Sequence, residues 1–392
     1  MVTIFFHIFV SMDKYRKIVI ASDSFKGSLA SWEIAEAAKK AVNEVYPDCE
    51  VACLSVADGG EGTTEALCKA FSGEMQQIRV HGPLGDPVEA RYCIAGEPGK
   101  RTAVMEMSQA SGLYLVPPGK RNPSLTSTFG TGEMIADALD KGCRNFLIGI
   151  GGSATNDGGT GLLAALGWRF LDRNGKELPP VGGSLGDMVS INDCNARKEL
   201  KDCTFRVACD VDTPFCGPNG AAPVFAPQKG ADPEMVRRLD RGMISFAAIV
   251  KAYTGKDIVA LPGAGAAGGL GGGLYAFLGA SLQKGAEMVL RAIGFDEKAA
   301  GADLVITGEG RMDYQTDRGK TPCCVLERSS SLGIPVIAIA GSAATGDEAC
   351  HLPFQAILPV TPPDMPLETA MRPEVASRNI FLTLKQYLQS HD

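Results

Sequence analysis

The chain has 392 residues, of which 45% are hydrophobic and 21% are charged, and its formal net charge is -7. An acidic chain lacks the basic face that nucleic-acid binding requires, so we expect no nucleic-acid partner, although a locally positive pocket for a small anion is compatible with this charge. The length predicts two domains, because a single hydrophobic core stops growing below this size.

The first residues stand apart by their apolar composition. The run MVTIFFHIFV (1–10) is too short to span a bilayer, so we expect no membrane partner. It also lacks the preceding basic segment and the following cleavage site of a secretory signal. Met12 follows one residue later, so we expect residues 1–11 to be an upstream extension, with a poorly ordered N-terminal tail as the alternative.

The twelve cysteines are scattered along the chain and contain no CxxC pair. This spacing argues against a local zinc site. We expect reduced, mostly buried thiols and a cytoplasmic location, because cytosolic proteins keep their thiols reduced.

Short apolar runs alternate with amphipathic helices at both ends of the chain. Residues 17–22 and 50–56 predict buried strands, and the helix between them ends before Pro47. Three more strands are predicted at 303–307, 336–340 and 356–360. This alternation is typical of βαβ units, so we expect the five strands to join one open parallel sheet.

The middle of the chain has a different pattern. Residues 78–125 contain many prolines, glycines and short alternating runs, and a strand is predicted at 145–150. We therefore predict an α/β fold in which a discontinuous Rossmann- or flavodoxin-like parallel-sheet domain, residues 12–80 and 287–392, is interrupted by a mixed α/β domain, residues 81–286.

Four of the predicted strands are followed by glycine-rich loops, at 57–63, 149–161, 263–273 and 307–313. Glycine allows backbone N–H groups to approach a phosphate, and a nearby helix N-terminus adds a favourable dipole. A single loop of this kind is most often a plain turn, but four of them favour a binding protein. The loop at 263–273 has no charged residue, so a linker or tight helix packing explains it equally well.

Carboxylates and isolated cations stand beside these loops. Asp210 and Asp212 follow a predicted strand and share one face if the chain stays extended, so they are candidates for a Mg²⁺ site or a catalytic base. The further candidates are Asp58, Glu61, Glu309 and Asp313 among the acids and Lys26, Arg121, Lys229 and Arg311 among the bases. Taken singly, each can also be a turn cap or a solvated surface charge.

Two nucleotide-binding signatures occur in part. Gly319-Lys320-Thr321 lacks the P-loop glycine five positions before it, where Tyr314 stands. The segment 149–154 does match GxGxxA after a strand, with Asp172 near the distance expected for a ribose ligand. An NAD(P)-dependent oxidoreductase is therefore an open alternative, although residues 156–159 would lengthen the turn and add negative charge beside a pyrophosphate.

The longer motifs resemble those of the bacterial glycerate kinases of the first type, from about residue 16 to residue 385. The segments that carry the resemblance are IASDSFKGSL (20–29), VADGGEGT (56–63), ASGL (110–113), RNPSLTSTFGTGE (121–133), IGIGGSATNDGGTG (148–161), ACDVDTPFCGPNGAAPVFAPQKGA (208–231), GAGAAGGLGGG (263–273) and DLVITGEGRMDYQT (303–316). The resemblance implies ATP as donor, Mg²⁺ as metal, D-glycerate as acceptor and two α/β domains around a cleft. It favours phosphorylation of O2, with O3 left open because the two hydroxyls are adjacent.

Together with the residue patterns, the resemblance suggests a role for each motif. The catalytic candidates are Asp210, Asp212, Lys26 and Asp157, of which Asp210 and Asp212 would bind the metal. The substrate-binding candidates are Asp23, Ser24, Lys26, Asp58, Glu61, Arg121, Asn122, Lys229, Glu309 and Arg311. The nucleotide-binding candidates are Gly151, Gly152, Ser153, Asn156, Thr126, Ser127 and Thr128. A homodimer and a non-catalytic glycerate-binding regulator are alternatives that the sequence leaves open.

Overall fold

The structure, a computed structural model, describes residues 14–60 and 62–391. The apolar extension 1–11 and the candidate Glu61 lie outside the described residues. Residue contacts divide the described chain into two compact units. The first unit comprises residues 14–56 and 294–391, and the second comprises residues 57–293.

The secondary structure of the described residues alternates between strands and helices. The strands are β1 (Lys17–Ile20), β2 (Glu50–Cys53), β3 (Glu74–His81), β4 (Pro87–Ala95), β5 (Thr102–Glu106), β6 (Asn145–Gly149), β7 (Arg169–Leu171), β8 (Ser190–Asn192), β9 (Thr204–Ala208), β10 (Ser281–Gln283), β11 (Leu304–Met312), β12 (Val336–Ala343) and β13 (Ala356–Pro359). The α-helices are α1 (Ser31–Val45), α2 (Thr63–Ala70), α3 (Ser108–Ser111), α4 (Phe129–Asp140), α5 (Thr160–Ala165), α6 (Ala221–Phe225), α7 (Pro233–Thr254), α8 (Ala266–Leu278), α9 (Gly285–Ala292), α10 (Phe295–Ala299), α11 (Thr321–Ser331), α12 (Leu367–Ala370) and α13 (Pro373–Ser390). None of these helices is long and apolar enough to cross a lipid bilayer.

The first unit is built on a five-stranded parallel sheet in the order β13-β12-β11-β1-β2. The prediction that the five apolar runs form one parallel sheet is confirmed. Helices α1 and α13 bury their apolar faces in its core, through Ile34 and Ala38 on one and Ile380 and Leu384 on the other. The chain moves outward from β1 to β2 on one side and from β11 to β12 on the other. The carboxyl ends of β1 and β11 therefore form a switch point, where parallel sheets commonly bind ligands.

The second unit is built on a six-stranded mixed sheet in the order β10-β9-β6-β5-β4-β3. Strands β3, β4 and β5 pair antiparallel, whereas β5, β6, β9 and β10 pair parallel. Phe146 and Phe205 stack across β6 and β9 with ring centroids 4.7 Å apart. The predicted fold class, a parallel-sheet domain with an inserted mixed α/β domain, is confirmed.

The two units divide after Val56 and after Ile293, whereas the sequence placed the boundaries near residues 80 and 287. Strand β3 explains the first difference, because it pairs with β4 along its whole length, from Glu74 opposite Ile94 to His81 opposite Pro87. The polar run in β3 gives no local sign of the sheet to which it belongs.

The expectation that the cysteines are reduced thiols is wrong for one pair. Cys68 at the end of α2 and Cys93 in β4 form a disulfide within the second unit. The other ten cysteines form no disulfide within residues 14–60 and 62–391, and five of them are buried. The pair was missed because residues 25 positions apart are brought together only by the packing of α2 on the sheet.

Candidate functional site

A cavity of about 430 Å³ opens at the carboxyl ends of β6 and β9 in the second unit. Among the described residues, its walls come from six segments that are distant in sequence. The lining residues are Asp58, Gly59, Gly60, Leu113, Ile150, Gly151, Gly152, Ser153, Ala208, Cys209, Asp210, Val211, Phe225, Gln228, Lys229, Ala266 and Ala267. Three of the four predicted glycine-rich loops therefore reach this cavity, at the sheet edge where α/β proteins bind ligands.

The loop after β6 presents backbone rather than side chains to the cavity. Gly151 and Gly152 are exposed, and Gly152 has a positive φ of 71°. The preceding helical segment fixes the loop from behind, because the Leu113 N–H donates to the Gly152 carbonyl (2.8 Å) and the Ala154 N–H donates to the Ser111 carbonyl (2.9 Å). A rigid strip of backbone without bulky side chains can approach phosphate oxygens closely.

Among the described residues, Lys229 is the only lysine or arginine in the cavity wall, and it is 2% exposed. Its Nζ donates hydrogen bonds to Ser153 Oγ (2.7 Å) and to the Thr155 carbonyl (2.6 Å). Burial lowers its pKa to about 7, although the charge of Asp157 opposes this shift. An ammonium group has three donors, so one N–H remains for a ligand in the cavity.

Two carboxylates of the part of the chain that the structure describes line the same cavity. Asp210 follows β9, and its Oδ1 accepts the backbone N–H of Gly285 at the start of α9 (2.8 Å). Asp58 caps its own turn, with Oδ1 accepting the Gly60 N–H (2.9 Å). Both side chains are therefore held in place by backbone donors at the edge of the sheet.

The Asp58 loop fits closely against α9, which explains two of the glycines. A Cβ on Gly285 would lie 2.0 Å from the Asp58 carbonyl oxygen, and a Cβ on Gly59 would lie 2.6 Å from the Ala208 Cβ. Gly59 also has a positive φ of 85°. These positions allow the loop to reach the cavity only if no side chain is present.

Replacing Gly285 with alanine should therefore displace the Asp58 loop. We expect a loss of unfolding free energy of about 1–3 kcal/mol, because the new methyl group meets backbone atoms that cannot rotate away. Urea unfolding would measure it. The matched control is Gly119→Ala, because a Cβ there meets nothing within 4 Å and Gly119 has no positive φ. Equal midpoints for the two variants would contradict the close contact.

Asp157 lies behind the cavity rather than in its wall and is fully buried. Its carboxylate accepts four hydrogen bonds: from the Thr128 N–H (2.7 Å) and hydroxyl (2.8 Å), and from the N–H groups of Gly159 and Gly161 (3.2 Å each). Burial raises its pKa, and the four donors oppose the rise because they stabilise the anion. Asp157 thus ties together the beginnings of α4 and α5.

The other candidates from the 121–128 motif also bond within the second unit and do not line the cavity. Thr126 Oγ1 donates to the Ala154 carbonyl (2.9 Å), and Ser127 Oγ donates to the Pro180 carbonyl (2.8 Å). Asn122 Oδ1 accepts the N–H and the hydroxyl of Ser124. These contacts support the cavity loop and its neighbours from the interior.

Three further candidates from the second unit lie outside the cavity wall. Asp212 is exposed, and because β9 ends at Ala208 it does not share a strand face with Asp210. Asn156 is fully buried, and its Nδ2 donates to Met243 Sδ (3.1 Å). Arg121 lies beside the lysine loop, since a Cβ on Gly230 would be 2.4 Å from the Arg121 carbonyl.

A separate polar cluster lies in the first unit, at the switch point between β1 and β11. Asp23 accepts the Ser24 N–H (2.7 Å) and the Thr321 hydroxyl (3.2 Å). Glu309, 8% exposed, accepts the Thr316 hydroxyl (2.5 Å) and lies 3.3 Å from Lys320 Nζ. Burial raises the pKa of Glu309. The sequence motifs predicted Asp23, Ser24 and Glu309 as site residues but not Thr316, and Lys320 and Thr321 entered only in the rejected P-loop match.

The basic candidates of the first unit are more exposed. Arg311 pairs with Asp313 (3.4 Å) and Glu348 (3.1 Å), and 62% of its side chain is accessible. Lys26 is exposed in the turn after β1. Both cations can therefore reorient toward an anionic ligand.

The residues of the cavity suit a magnesium ion that takes only one or two protein ligands. Within residues 14–60 and 62–391, no group of three or more His, Cys, Asp or Glu side chains could hold a metal. Magnesium in phosphotransferases usually takes one or two carboxylates and completes its shell with phosphate oxygens and water. Asp58 and Asp210 supply that number of carboxylates beside a backbone strip suited to phosphate.

The loop geometry disagrees with the dinucleotide-binding alternative. In that motif the glycine turn opens directly into a helix whose N-terminus faces the pyrophosphate. Here α5 does not begin until Thr160, and a Cβ on Gly149 would lie 2.6 Å from the Gly59 carbonyl. The first glycine therefore serves the contact with the Asp58 loop.

Known proteins resemble this chain over nearly its full length. The model of the glycerate kinase family matches residues 18–390. The glycerate kinase of Halalkalibacterium halodurans is 47% identical, over 93% of this chain and 97% of that protein. The glycerate 2-kinase of Escherichia coli K12 is 46% identical, over 94% and 98%. A solved structure of a proposed glycerate kinase 2 from Salmonella typhimurium LT2 has a TM-score of 0.87 and 43% identity, over 96% of this chain and 98% of that chain. The similarity covers both units.

Proposed function

The chain belongs to the glycerate kinase family, and we propose that it transfers the γ-phosphoryl group of ATP to the O2 hydroxyl of D-glycerate, with the cavity of the second unit as its phosphate site. The resemblance read from the motifs is confirmed, and the chain is a kinase. The observation that supports the location is the convergence of the Gly151–Gly152 backbone, buried Lys229 and two carboxylates on one cavity.

Lys229 and the loop after β6 would bind the triphosphate. Charge on the transferred group spreads over its oxygens in the transition state, so catalysis depends on fixed donors placed beside it. The ammonium is oriented in advance by Ser153 Oγ and the Thr155 carbonyl. Little reorganisation is then needed when the phosphoryl group moves.

Asp210 is the residue that we assign to the acceptor hydroxyl or to the metal. As a base, its carboxylate takes the hydroxyl proton while the oxygen bonds to the γ-phosphorus and the bond to ADP breaks. If Mg²⁺ is bound, Asp210 and Asp58 would hold it, and the ion would neutralise phosphate charge. A metal role for exposed Asp212 stays a prediction.

Asp157 fits a positioning role better than the catalytic role predicted for it. Its four hydrogen bonds occupy a carboxylate that has no exposed surface. Thr126, Ser127, Thr128 and Asn156 have the same character. We propose that these residues set the shape of the loop whose outer face binds the nucleotide.

We assign the candidates of the first unit to binding of the glycerate anion. Lys26 and Arg311 are exposed cations beside the switch point of β1 and β11, and Asp23, Ser24 and Glu309 are polar groups at the same strand ends. A hydroxy acid needs cations for its carboxylate and acceptors for its hydroxyls. Their roles, like those of Arg121 and Asn122, stay proposals, as do a cytoplasmic location and a homodimer.

The proposed function is tested by coupled ADP release with D-glycerate, followed by NMR of the phosphorylated product. We expect ADP release that depends on D-glycerate, and phosphorus coupled to the C2 proton. Coupling of the phosphorus to the C3 protons would instead show that O3 is the hydroxyl that is phosphorylated. Nicotinamide reduction with glycerate, or glycerate binding without ADP release, would overturn the assignment.

The low pKa of Lys229 predicts that ATP binding weakens in alkaline solution. Only the ammonium form attracts phosphate, and it deprotonates as the pH rises through about 7. Bound phosphate raises that pKa, so the apparent Kd for ATP should rise up to about tenfold per pH unit above 7. Isothermal titration with ATP and Mg²⁺ between pH 7 and 9 would measure it. A constant Kd across this range would contradict a charge-dependent role.

A further inference from the structure

A second cavity, of about 440 Å³, lies in the second unit away from the candidate site. Leu200 and Cys203, just before β9, and residues 276–278, at the end of α8, form part of its wall. The candidate site uses the other end of both elements. The five residues of β9 separate the two cavities by roughly 16 Å, so one small ligand cannot occupy both.

Aromatic side chains form one wall of this second cavity. Tyr253 stacks on Phe277 with centroids 5.8 Å apart, and Trp168 meets Phe277 edge-on at 6.0 Å. The Tyr253 hydroxyl donates to Asp193 Oδ2 (2.6 Å), which fixes the ring. Such a preformed aromatic wall favours a planar ring as ligand.

The rim of the second cavity is basic. Arg197, Lys198 and Lys201 line it, against one carboxylate, Asp193, which already accepts the tyrosine hydroxyl. Arg197 is neutralised by Asp140 (2.5 Å) and Glu199 (3.1 Å). Lys198 and Lys201 are exposed, and within residues 14–60 and 62–391 neither forms an ion pair. Two lysine charges are thus available to an anion held above the aromatic wall.

We propose that this second cavity binds a small molecule that combines a planar aromatic ring with a phosphate or carboxylate group. The ring packs against Phe277 and Trp168, and the anion faces Lys198 and Lys201. Because Cys203 directly precedes β9 and residues 276–278 end α8, a molecule bound here lies at the far ends of the two elements that reach the candidate site.

The chain offers a direct reporter for this site. It has two tryptophans: Trp32, 46% exposed on α1 of the first unit, and Trp168, 7% exposed in the second cavity. The Trp32→Phe variant therefore leaves Trp168 as the single source of tryptophan emission. A ligand in the second cavity would alter this emission, or accept its energy if it is itself fluorescent.

The test titrates the Trp32→Phe protein with 1-anilinonaphthalene-8-sulfonate, an anion that carries a planar naphthalene ring, and follows energy transfer from Trp168. We expect saturable transfer that saturating ATP does not displace. Phenyl phosphate and benzoate should compete, and the stronger competitor identifies the preferred anion. Reversing the rim charge with Lys198→Glu and Lys201→Glu should weaken binding at least tenfold. Both lysines are exposed, so far-UV circular dichroism and basal ADP release should be unchanged.

Three outcomes would overturn the proposal. Transfer that does not saturate would indicate diffuse adsorption, and displacement by ATP would place the probe in the candidate site. Equal affinity in the charge-reversed variant would remove the basic rim from recognition.

Discussion

The Asp210→Asn variant should fold normally and lose nearly all turnover. Asparagine keeps an Oδ1 that can accept the Gly285 N–H, so the bond now 2.8 Å long can persist. It cannot take a proton or contribute a negative charge to a metal. Because a positioned base alone contributes about 10²–10⁴-fold, we expect kcat to fall by that factor. Initial rates of ADP release at saturating ATP and D-glycerate would measure it.

The matched control for this variant is Asp202→Asn. Asp202 is also an exposed aspartate near an end of β9, but it precedes the strand and does not line the candidate site. It should retain wild-type kcat, with the same melting temperature as Asp210→Asn. An Asp210→Asn enzyme with half of its activity would remove Asp210 from the mechanism.

The parallel sheet of the first unit could be predicted because its inner strands β1, β11 and β12 are largely buried and read as continuous apolar runs. The 336–340 run, for example, forms part of β12, which lies between β11 and β13 in the sheet. The edge strand β3 has an exposed, polar pattern, and only its partner β4 shows where it belongs. Burial leaves a local signal in the sequence, whereas pairing between strands does not.

The sequence predicted several residues of the candidate site, but not which side chains face the cavity and which face the interior. Gly151, Lys229 and Asp210 were all named from the sequence and do line one cavity. Asp157, from the same glycine-rich loop, points into the interior instead. The residue types suit both a ligand site and a buried helix junction, so only the hydrogen-bond partners separate the two roles.

Asp212 and Gln228 show how sequence patterns can mislead about a site: Asp212 was named but does not line the cavity, whereas Gln228 lines it but was not named. The two-residue spacing of Asp210 and Asp212 places them together only in an extended strand, and β9 has already ended. Gln228 lines the cavity beside Lys229, but it was not named because an uncharged amide gives no electrostatic signal. Its position next to the buried lysine was the available clue.

Replacing Lys229 with methionine should lower kcat/KM by about 10²–10³-fold, the effect of removing one preorganised donor to a developing charge. Methionine fills a similar volume, so the packing around Ser153 should persist. Removing the ammonium also removes the cost of desolvating a buried charge. We therefore expect this gain to offset part of the unfolding free energy that is lost with its hydrogen bonds. ADP release and urea unfolding on the same samples would separate catalysis from stability.

Two comparisons make the Lys229→Met result specific to the buried ammonium. Lys100→Met removes an exposed lysine outside the cavity and should leave kcat/KM unchanged. In Lys229→Met the apparent Kd for ATP should be higher than in the wild type but nearly constant from pH 7 to 9, because the group that titrates near 7 is gone. A variant that kept the alkaline rise in Kd would assign it to another group, and one that lost stability in proportion to activity would make Lys229 structural.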